Sequence, residues 1–432
     1  MTIGRLLRSE LTRPAATVLV TRLVAAAAAF GLTLTVARLL GPEESGFYYL
    51  AMSVTVIASI LGILGLDSAS MRFVSTGVDT GDWGRVAGVY RQAVSVAGLW
   101  SVTLGVAIWA LAPVLADAAF SNTDLEPVIR VAAWLVPLMT LMQIHAFALK
   151  GVQRPVAATI IQSLGPPTVA GLTMLASGVA TAESALAVVV GTWAGLLVVA
   201  AMLWFIRVGP AGRQFGAFDV RRLLRTGLPL LVVNSMILIG QWTDTIMLGV
   251  FGDAADVGVY YPAWRVATIV SLVLFGINAV APPRFAALHE RGDIRGLEQL
   301  ARQTSGLATA VALPALVVVV VIAPWILDLF GPDFDRAAGA LRILAVGEFV
   351  NAAVGSVGFL IVMTGHERSM RNIMIATGIG NIMLNAALIP PLGINGAALA
   401  TTISLVLSNL GLALWARRRL AVQPVAFLPP AQ

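Results

Sequence analysis

The sequence predicts an all-α, polytopic membrane protein of about twelve transmembrane helices, in two pseudo-symmetric six-helix bundles around a central cleft. Three observations predict it: recurrent apolar runs, a one-sided distribution of arginine, and an internal repeat. The 432 residues are 58% hydrophobic and 12% charged, with a mean hydropathy of +0.88, whereas a soluble chain carries roughly 25% charged residues. An aqueous globule is not built from that mixture. Runs of about twenty apolar residues recur along the whole length, each long enough to cross a ~30 Å hydrocarbon layer as a helix.

Hydropathy places spans near 15–38, 47–66, 88–113, 128–149, 155–179, 184–206, 227–250, 257–281, 304–327, 341–363, 371–390 and 395–415. The first apolar stretch runs on to Val36 and contains Arg22, so it reads as a span and not as a cleaved signal. Pro166 and Pro167 in the fifth span, and Pro282 and Pro283 at the end of the eighth, predict kinks or breaks, because proline removes a helical donor and clashes with the preceding turn. Gly191 and Gly195 form a small-xxx-small pair on the sixth span, a pattern that predicts close helix packing.

Apart from Lys150, every basic residue is arginine. Most fall on one side of the spans: Arg5, Arg8 and Arg13 before the first; Arg72, Arg85 and Arg91; Lys150 and Arg154; Arg207 to Arg225; Arg284 to Arg302; Arg368 and Arg371; and Arg417 to Arg419 after the last. The other side has Arg38, Arg130, Arg336 and Arg342 with an excess of acids, among them Glu43, Glu44, Asp253 and Asp256. The positive-inside rule then predicts cytoplasmic termini and an even number of spans. The same alternation accounts for the net charge of +6 and points to no nucleic-acid partner.

With no cysteine, disulfides and thiolate metal sites are excluded, and His145, His289 and His366 lie far apart in sequence. No nucleotide-binding loop, carboxylate pair or metal-ligand spacing predicts a cofactor. External loops of about fifteen residues or fewer leave no room for a folded catalytic segment, so the expectation is a protein that is not an enzyme.

The two halves match at an offset of about 212 residues. Gly46 of "GFYYLA" falls on Gly258 of "GVYYPA"; Arg72-Phe73 on Arg284-Phe285; Gly81-Asp82 on Gly292-Asp293; Arg91-Gln92 on Arg302-Gln303. "APVLAD" at 112–117 falls on "APWILD" at 323–328, Arg130 on Arg342, and Gly151 on Gly365. Six spans per copy give both copies one orientation, with a symmetry axis along the membrane normal. The predicted organisation is a bundle over 1–207, a cytoplasmic linker over 208–225, a second bundle over 226–416, and a cytoplasmic tail over 417–432.

Two stretches carry a family likeness: "ARLLGPEESGFYYLA" at 37–51 and "DTIMLGVFGDAADVGVYYPAWRV" at 244–266, with weaker support from "KGVQRP" at 150–155, "GHERSM" at 365–370 and "LGINGAALAT" at 392–401. They resemble the oligosaccharide-lipid (O-antigen and polysaccharide) flippases of the multidrug, oligosaccharidyl-lipid and polysaccharide exporter superfamily. That resemblance implies a carrier in a bacterial inner membrane that moves an undecaprenyl-diphosphate-linked oligosaccharide to the outer leaflet. It implies membrane lipid as surroundings, and a polysaccharide polymerase and glycosyltransferases as partners. Twelve spans argue against the lipid II branch, which typically has fourteen. The alternative on the same fold is an ion-coupled multidrug exporter, which should hold acids in its cleft; the first six spans as drawn contain none.

Ionisable groups inside spans cost ~2.5–3.5 kcal/mol at the centre, so each is a candidate site. Arg22, two turns into the first span, either snorkels to headgroups or binds the substrate diphosphate, as lumen arginines of the resembled family do; guanidinium suits phosphate through bidentate hydrogen bonds. Asp244 and Arg265 lie at similar depth on the seventh and eighth spans and are expected to pair, either to hold the hairpin or to break during transport and release Arg265 to the diphosphate. Glu348 on the tenth span is either a hydrogen-bonded helix contact or, with Asp244, an ion-coupling or gating site. Asn234 and Gln241 are candidate sugar contacts. With Gln143, Gln162, Asn278, Asn351 and Asn385, they either line a hydrated path or bond between helices.

Overall fold

The computed structural model describes the backbone of residues 12–209, 216 and 218–429, and side chains at all of these except 12–16, 18–19, 207, 230 and 232–240. Arg5, Arg8, Arg213 and the side chains of Arg13, Arg207 and Asn234 therefore lie outside the described residues. Every regular element among the described residues is helical. A chain in hydrocarbon must satisfy its backbone donors and acceptors internally, and helices do this within one segment.

The elements run α1 (Thr12–Ile63), α2 (Leu66–Asp79), α3 (Trp83–Val114), α4 (Leu125–Ala133), α5 (Leu135–Gly151), α6 (Pro155–Thr159), α7 (Gly165–Ser177) and α8 (Ala182–Val208). They continue with α9 (Val220–Phe251), α10 (Ala254–Ala267), α11 (Val273–Glu290), α12 (Ile294–Val321), α13 (Ala323–Asp328), α14 (Ala338–Val354), α15 (Val357–Met363) and α16 (Glu367–Leu420). Two compact units divide inside α9, Met1–Trp242 and Thr243–Gln432. Among the described residues, seven helices are long and apolar enough to cross a membrane.

Two of the seven are double. In α1 the helix is broken at Gly41, followed by Pro42. Ser45 Oγ lies 3.4 Å from Val36 O, whereas nine residues of straight helix would separate them by about 13.5 Å; the chain has reversed. Likewise α16 is broken at Gly393, and Asn381 reaches Thr401 Oγ1 at 3.4 Å across the reversal. The predicted first and second spans are thus one hairpin, as are the eleventh and twelfth. The motif around Gly41 explains itself: Glu44 accepts from the backbone N–H of Ala182, the first residue of α8, where a carboxylate meets the positive end of the helix dipole.

The repeat appears in backbone angles. Gly81 and Gly292 have φ of 70° and 67°. The next residues, Asp82 (φ −85°, ψ 78°) and Asp293 (φ −84°, ψ 78°), cap α3 and α12 with identical geometry. Asp82 Oδ1 accepts from Arg85 N at 2.9 Å and Asp293 Oδ1 from Gly296 N at 2.8 Å, each satisfying one of the donors a helix start leaves open. Two loops with different flanking residues converge on one turn because Gly-Asp supplies a left-handed residue and then a capping acceptor.

Proline placement corrects one expectation and supports another. Pro166 and Pro167 sit at the start of α7, just after a wide turn at Ile160–Leu164, so the fifth span is interrupted as expected. Pro282 and Pro283, by contrast, lie inside continuous α11. The eighth span breaks earlier, between Ala267 and Val273. There Thr268 Oγ1 takes the carbonyl of Arg265 at 2.7 Å and Ser271 Oγ that of Thr268 at 3.3 Å, side-chain competition that bends helices. Gly191 and Gly195 also depart from expectation: a Cβ at either would meet nothing within 4 Å. That face of α8 is exposed within its unit and makes no close helix contact there.

Candidate functional site

In the N-terminal unit, the C-terminal half of α5 and the wide turn after α6 carry a continuous polar chain. Lys150 Nζ donates to Gln162 Oε1 at 3.2 Å, Gln162 Nε2 donates to Gln143 Oε1, and Gln143 Nε2 donates to Asp67 Oδ2 at 3.2 Å. Asp67, at the start of α2, is 5% exposed and also accepts from the N–H of Ser68 at 2.6 Å. The Lys150 ammonium lies 3.9 Å from the Phe147 ring centroid, a cation–π contact. It is close enough to Arg22 to be repelled by it and close enough to Asp67 to be attracted. The acid thus sits at the far end of an amide relay from Lys150.

The local sequence explains the arrangement. Gln143 and Lys150 are seven residues apart on α5, two turns, and so project from one face. The prolines that open α7 deprive the preceding turn of two donors, and the chain widens there, presenting Gln162 toward Lys150. Such wide turns recur at functional sites. Arg22 was a predicted site; Lys150 and Asp67 were not, the first assigned to a loop and the second one residue beyond the drawn second span. The first six spans as drawn contain no acid, but Asp67, just beyond the second, gives the N-terminal half a buried one.

Nearby, His145 is a satisfied core residue. Its Nδ1 lies 2.8 Å from Leu141 O and its Nε2 2.8 Å from Tyr90 Oη. Because the carbonyl only accepts, Nδ1 carries the proton and Nε2 accepts from the phenol, leaving a neutral ring. Tyr90 stacks on Trp204 at 4.1 Å.

In the C-terminal unit, Asp244 is 5% exposed. It accepts from Tyr260 Oη at 3.0 Å, from Asn385 Nδ2 at 2.8 Å and from Thr401 Oγ1. Asn381 completes the cage, accepting from Asn385 at 3.1 Å. The expected Asp244–Arg265 pair is corrected: among the described residues no ion pair joins them, and Asp244 is held by neutral donors. Tyr260 and Arg265 are five residues apart on α10, which at about 100° per residue puts them about 140° apart around the helix. Turning Tyr260 to Asp244 turns Arg265 away, toward Tyr261, with which it interacts electrostatically.

Glu348 accepts from Ser271 Oγ and from Asn351 Nδ2 at 3.4 Å, and Asn409 extends the chain to Asn351 at 3.3 Å. Asn278 accepts from Ser356 Oγ at 2.5 Å. The helix-to-helix reading of the polar residues is therefore the one observed for Gln143, Gln162, Asn278, Asn351 and Asn385. Gln241 is exposed on α9, and the Asn234 side chain lies outside the described residues.

Both clusters lie where the repeat breaks. Lys150 precedes Gly151 as Thr364 precedes Gly365, and Asp67 falls on Ala279. Thr401, directly after "ALA" at 398–400, falls on Val188, and Asp244 falls on Leu32. Polar groups on one copy and apolar or weakly polar ones on the other are a signal that sequence alone holds.

Paired six-span repeats with buried, asymmetric polar clusters define a multi-pass membrane carrier of the exporter fold. The chain belongs to the family described as polysaccharide biosynthesis protein, whose model matches residues 11–289, and a second model, MatE, matches residues 229–390. Among curated proteins it is 30% identical over 174 residues to "Probable flippase AglR" of Haloferax volcanii, a match covering 39% of this chain and 36% of that relative. It is 23% identical over 379 residues to "Probable low-salt glycan biosynthesis flippase Agl15" of the same organism, covering 86% of this chain and 76% of that one. Among solved structures it resembles an inward-facing multidrug resistance MATE family transporter of the MOP superfamily (TM-score 0.76, 16% identity, 93% of this chain and 98% of that one). It also resembles the lipid II flippase MurJ in an inward closed conformation (TM-score 0.71, 13% identity, 92% and 87%). At these identities the structural likeness speaks for the fold.

Proposed function

We propose that this protein is a flippase that carries an undecaprenyl-diphosphate-linked oligosaccharide from the cytoplasmic to the outer leaflet of a bacterial inner membrane by alternating access, for polysaccharide synthesis. Both termini are cytoplasmic in this reading, and a polysaccharide polymerase and glycosyltransferases work beside it. One observation carries the reading: Lys150 reaches the buried acid Asp67 only through Gln162 and Gln143, and a second cation, Arg22, lies close enough to repel it. Two like charges at a membrane helix end are held together at a cost that a bound anion relieves, and a diphosphate carries the charge and acceptors to do so. Arg265, Gln241 and Asn234 are assigned to the glycan and its phosphates, and Asp244 and Glu348 to ion coupling. No bond is made or broken in this cycle, so the protein acts as a carrier and not as an enzyme. The relatives' names, one a probable flippase and the other a probable low-salt glycan biosynthesis flippase, support the substrate class.

The test is reconstitution in vesicles with a lipid-linked oligosaccharide whose arrival in the far leaflet is read by lectin or glycosidase access. Arg22→Ala and Lys150→Ala should each abolish transfer with normal protein levels, and Arg22→Ala/Lys150→Ala should do no more than either. Wild-type transfer by the double variant removes the reading. A second reading, the ion-coupled multidrug exporter, rests on the caged acid Asp244. It predicts efflux of lipophilic cations that fails in Asp244→Asn and is indifferent to Lys150.

A further inference from the structure

The segment after the last helix is buried where a free tail would be exposed. Val422 is 0% and Gln423 2% exposed, and residues 422–428 lie along the first three turns of α12. Arg302 donates from both terminal nitrogens to tail carbonyls, Leu428 O at 2.6 Å and Ala426 O at 2.7 Å. Glu298, one turn earlier, accepts from the N–H of Gln423 at 3.1 Å. The third contact is Ser305: its Oγ accepts from Ala426 N at 3.1 Å and donates to Ala353 O at 2.6 Å.

That last carbonyl is at the break in the tenth span. The helix stops at Val354, and Gly355 (φ 76°, ψ −149°) separates α14 from α15, so Ala353 O loses its helical partner. A Cβ at Gly355 would lie 3.0 Å from Ser305 Cα, so the break, α12 and the tail meet at one fully buried serine. We propose that residues 422–428 form a latch that fastens α12 to the Gly355 break, and that release of the latch frees the break to move.

The repeat supports a built device. Arg91 holds the position of Arg302 and reaches Gly216 O at 3.5 Å, beyond the sixth span as Ala426 and Leu428 lie beyond the twelfth. The segment following the sixth span of each copy is thus taken by the same arginine. The N-terminal copy has no counterpart of the break, since α5 runs unbroken from Leu135 to Gly151; the three-way junction is special to the C-terminal copy. Glu298 and Arg302 also line an open depression of about 360 Å³, so the fastening groups are reachable by water and release without uncovering a buried charge.

The chain has no cysteine, and a Cβ at residue 306 would lie 3.4 Å from Ala426 Cβ, near the ~3.5–4.5 Å that a disulfide requires. The test is hydrogen exchange of the full-length protein in nanodiscs for wild type, Arg302→Ala, and Gly306→Cys/Ala426→Cys before and after oxidation. Arg302→Ala should speed exchange at 423–426 and at 353–357 together, by about tenfold, and oxidation of the double variant should slow both below wild type. Failure of the disulfide to form would overturn the latch, as would faster tail exchange with 353–357 unchanged, or an equal rise through both units.

Discussion

Lys150 sits 3.2 Å from Gln162 and 3.9 Å from the ring centroid of Phe147, so its ammonium is held by an amide and an aromatic face while the nearest acid, Asp67, is two glutamines away. A lysine tied directly to a carboxylate would be neutralised; this one keeps most of its charge available. Lys150→Gln should therefore cut transfer of the lipid-linked substrate at least tenfold, while Lys150→Arg retains most of it. The thermal midpoint in detergent should move by no more than about 4 °C, the shift that ~1 kcal/mol produces in a domain of ~200 residues. Equal activity of the Gln and Arg variants would show that charge at this position is not used.

The Asp244 cage gives a different kind of prediction. Asp244→Leu strands Tyr260 Oη, Thr401 Oγ1 and Asn385 Nδ2, donors whose burial without an acceptor costs about 1–3 kcal/mol each. The variant should be strongly destabilised. Adding Thr401→Val and Asn385→Leu removes two of those donors and brings in apolar residues, Leu at 244 and Val at 401 being those of the N-terminal copy. Stability should largely return, because replacing donor and acceptor together is nearly neutral. Transport by the triple variant should no longer respond to an ion gradient. A triple variant that melts no higher than Asp244→Leu would contradict the cage as the source of the loss.

His145 and Tyr90 make the reverse case, a buried polar pair with a structural task. Tyr90→Phe removes the donor to Nε2 and should cost about 1–3 kcal/mol, read as a lower thermal midpoint with substrate affinity intact. A loss of affinity without loss of stability would move the pair into the binding machinery.

The fold was legible because each of its signals is global. Hydropathy, the side of the arginines and the offset repeat average over many residues, and errors at single positions do not disturb them. The sites were less legible because they turn on single positions. Lys150 and Asp67 lie one residue beyond the hydropathy windows of their spans, and a window cannot see that a side chain reaches back inward. Depth alone pairs Arg265 with Asp244, whereas the angle between Arg265 and Tyr260 around the helix separates them. Pro282 and Pro283 are the conspicuous helix breakers in the sequence, yet the helix ends at the Thr268–Ser271 stretch, where hydroxyls compete for its carbonyls. The strongest signal for the sites is the repeat itself: subtracting one copy from the other isolates Asp67, Lys150, Asp244 and Thr401.

A tight backbone approach in the N-terminal unit is also testable. Gly65, with φ of 69°, faces Gly227 on α9, and a Cβ on Gly65 would lie 2.0 Å from Gly227 O. A Cβ on Gly227 would lie 2.8 Å from Leu64 O, again against backbone that cannot swing aside. Gly227→Ala should thus cost about 1–3 kcal/mol through overpacking, and Gly65→Ala more, since it adds left-handed strain to the clash. Gly191→Ala is the matched control: it meets open space in a helix interior, where alanine is favoured by roughly 1 kcal/mol, so its midpoint should hold or rise. Thermal unfolding of the three variants in one detergent separates the cases, and a Gly227→Ala protein as stable as Gly191→Ala would mean that α9 does not approach the Gly65 turn this closely in the membrane.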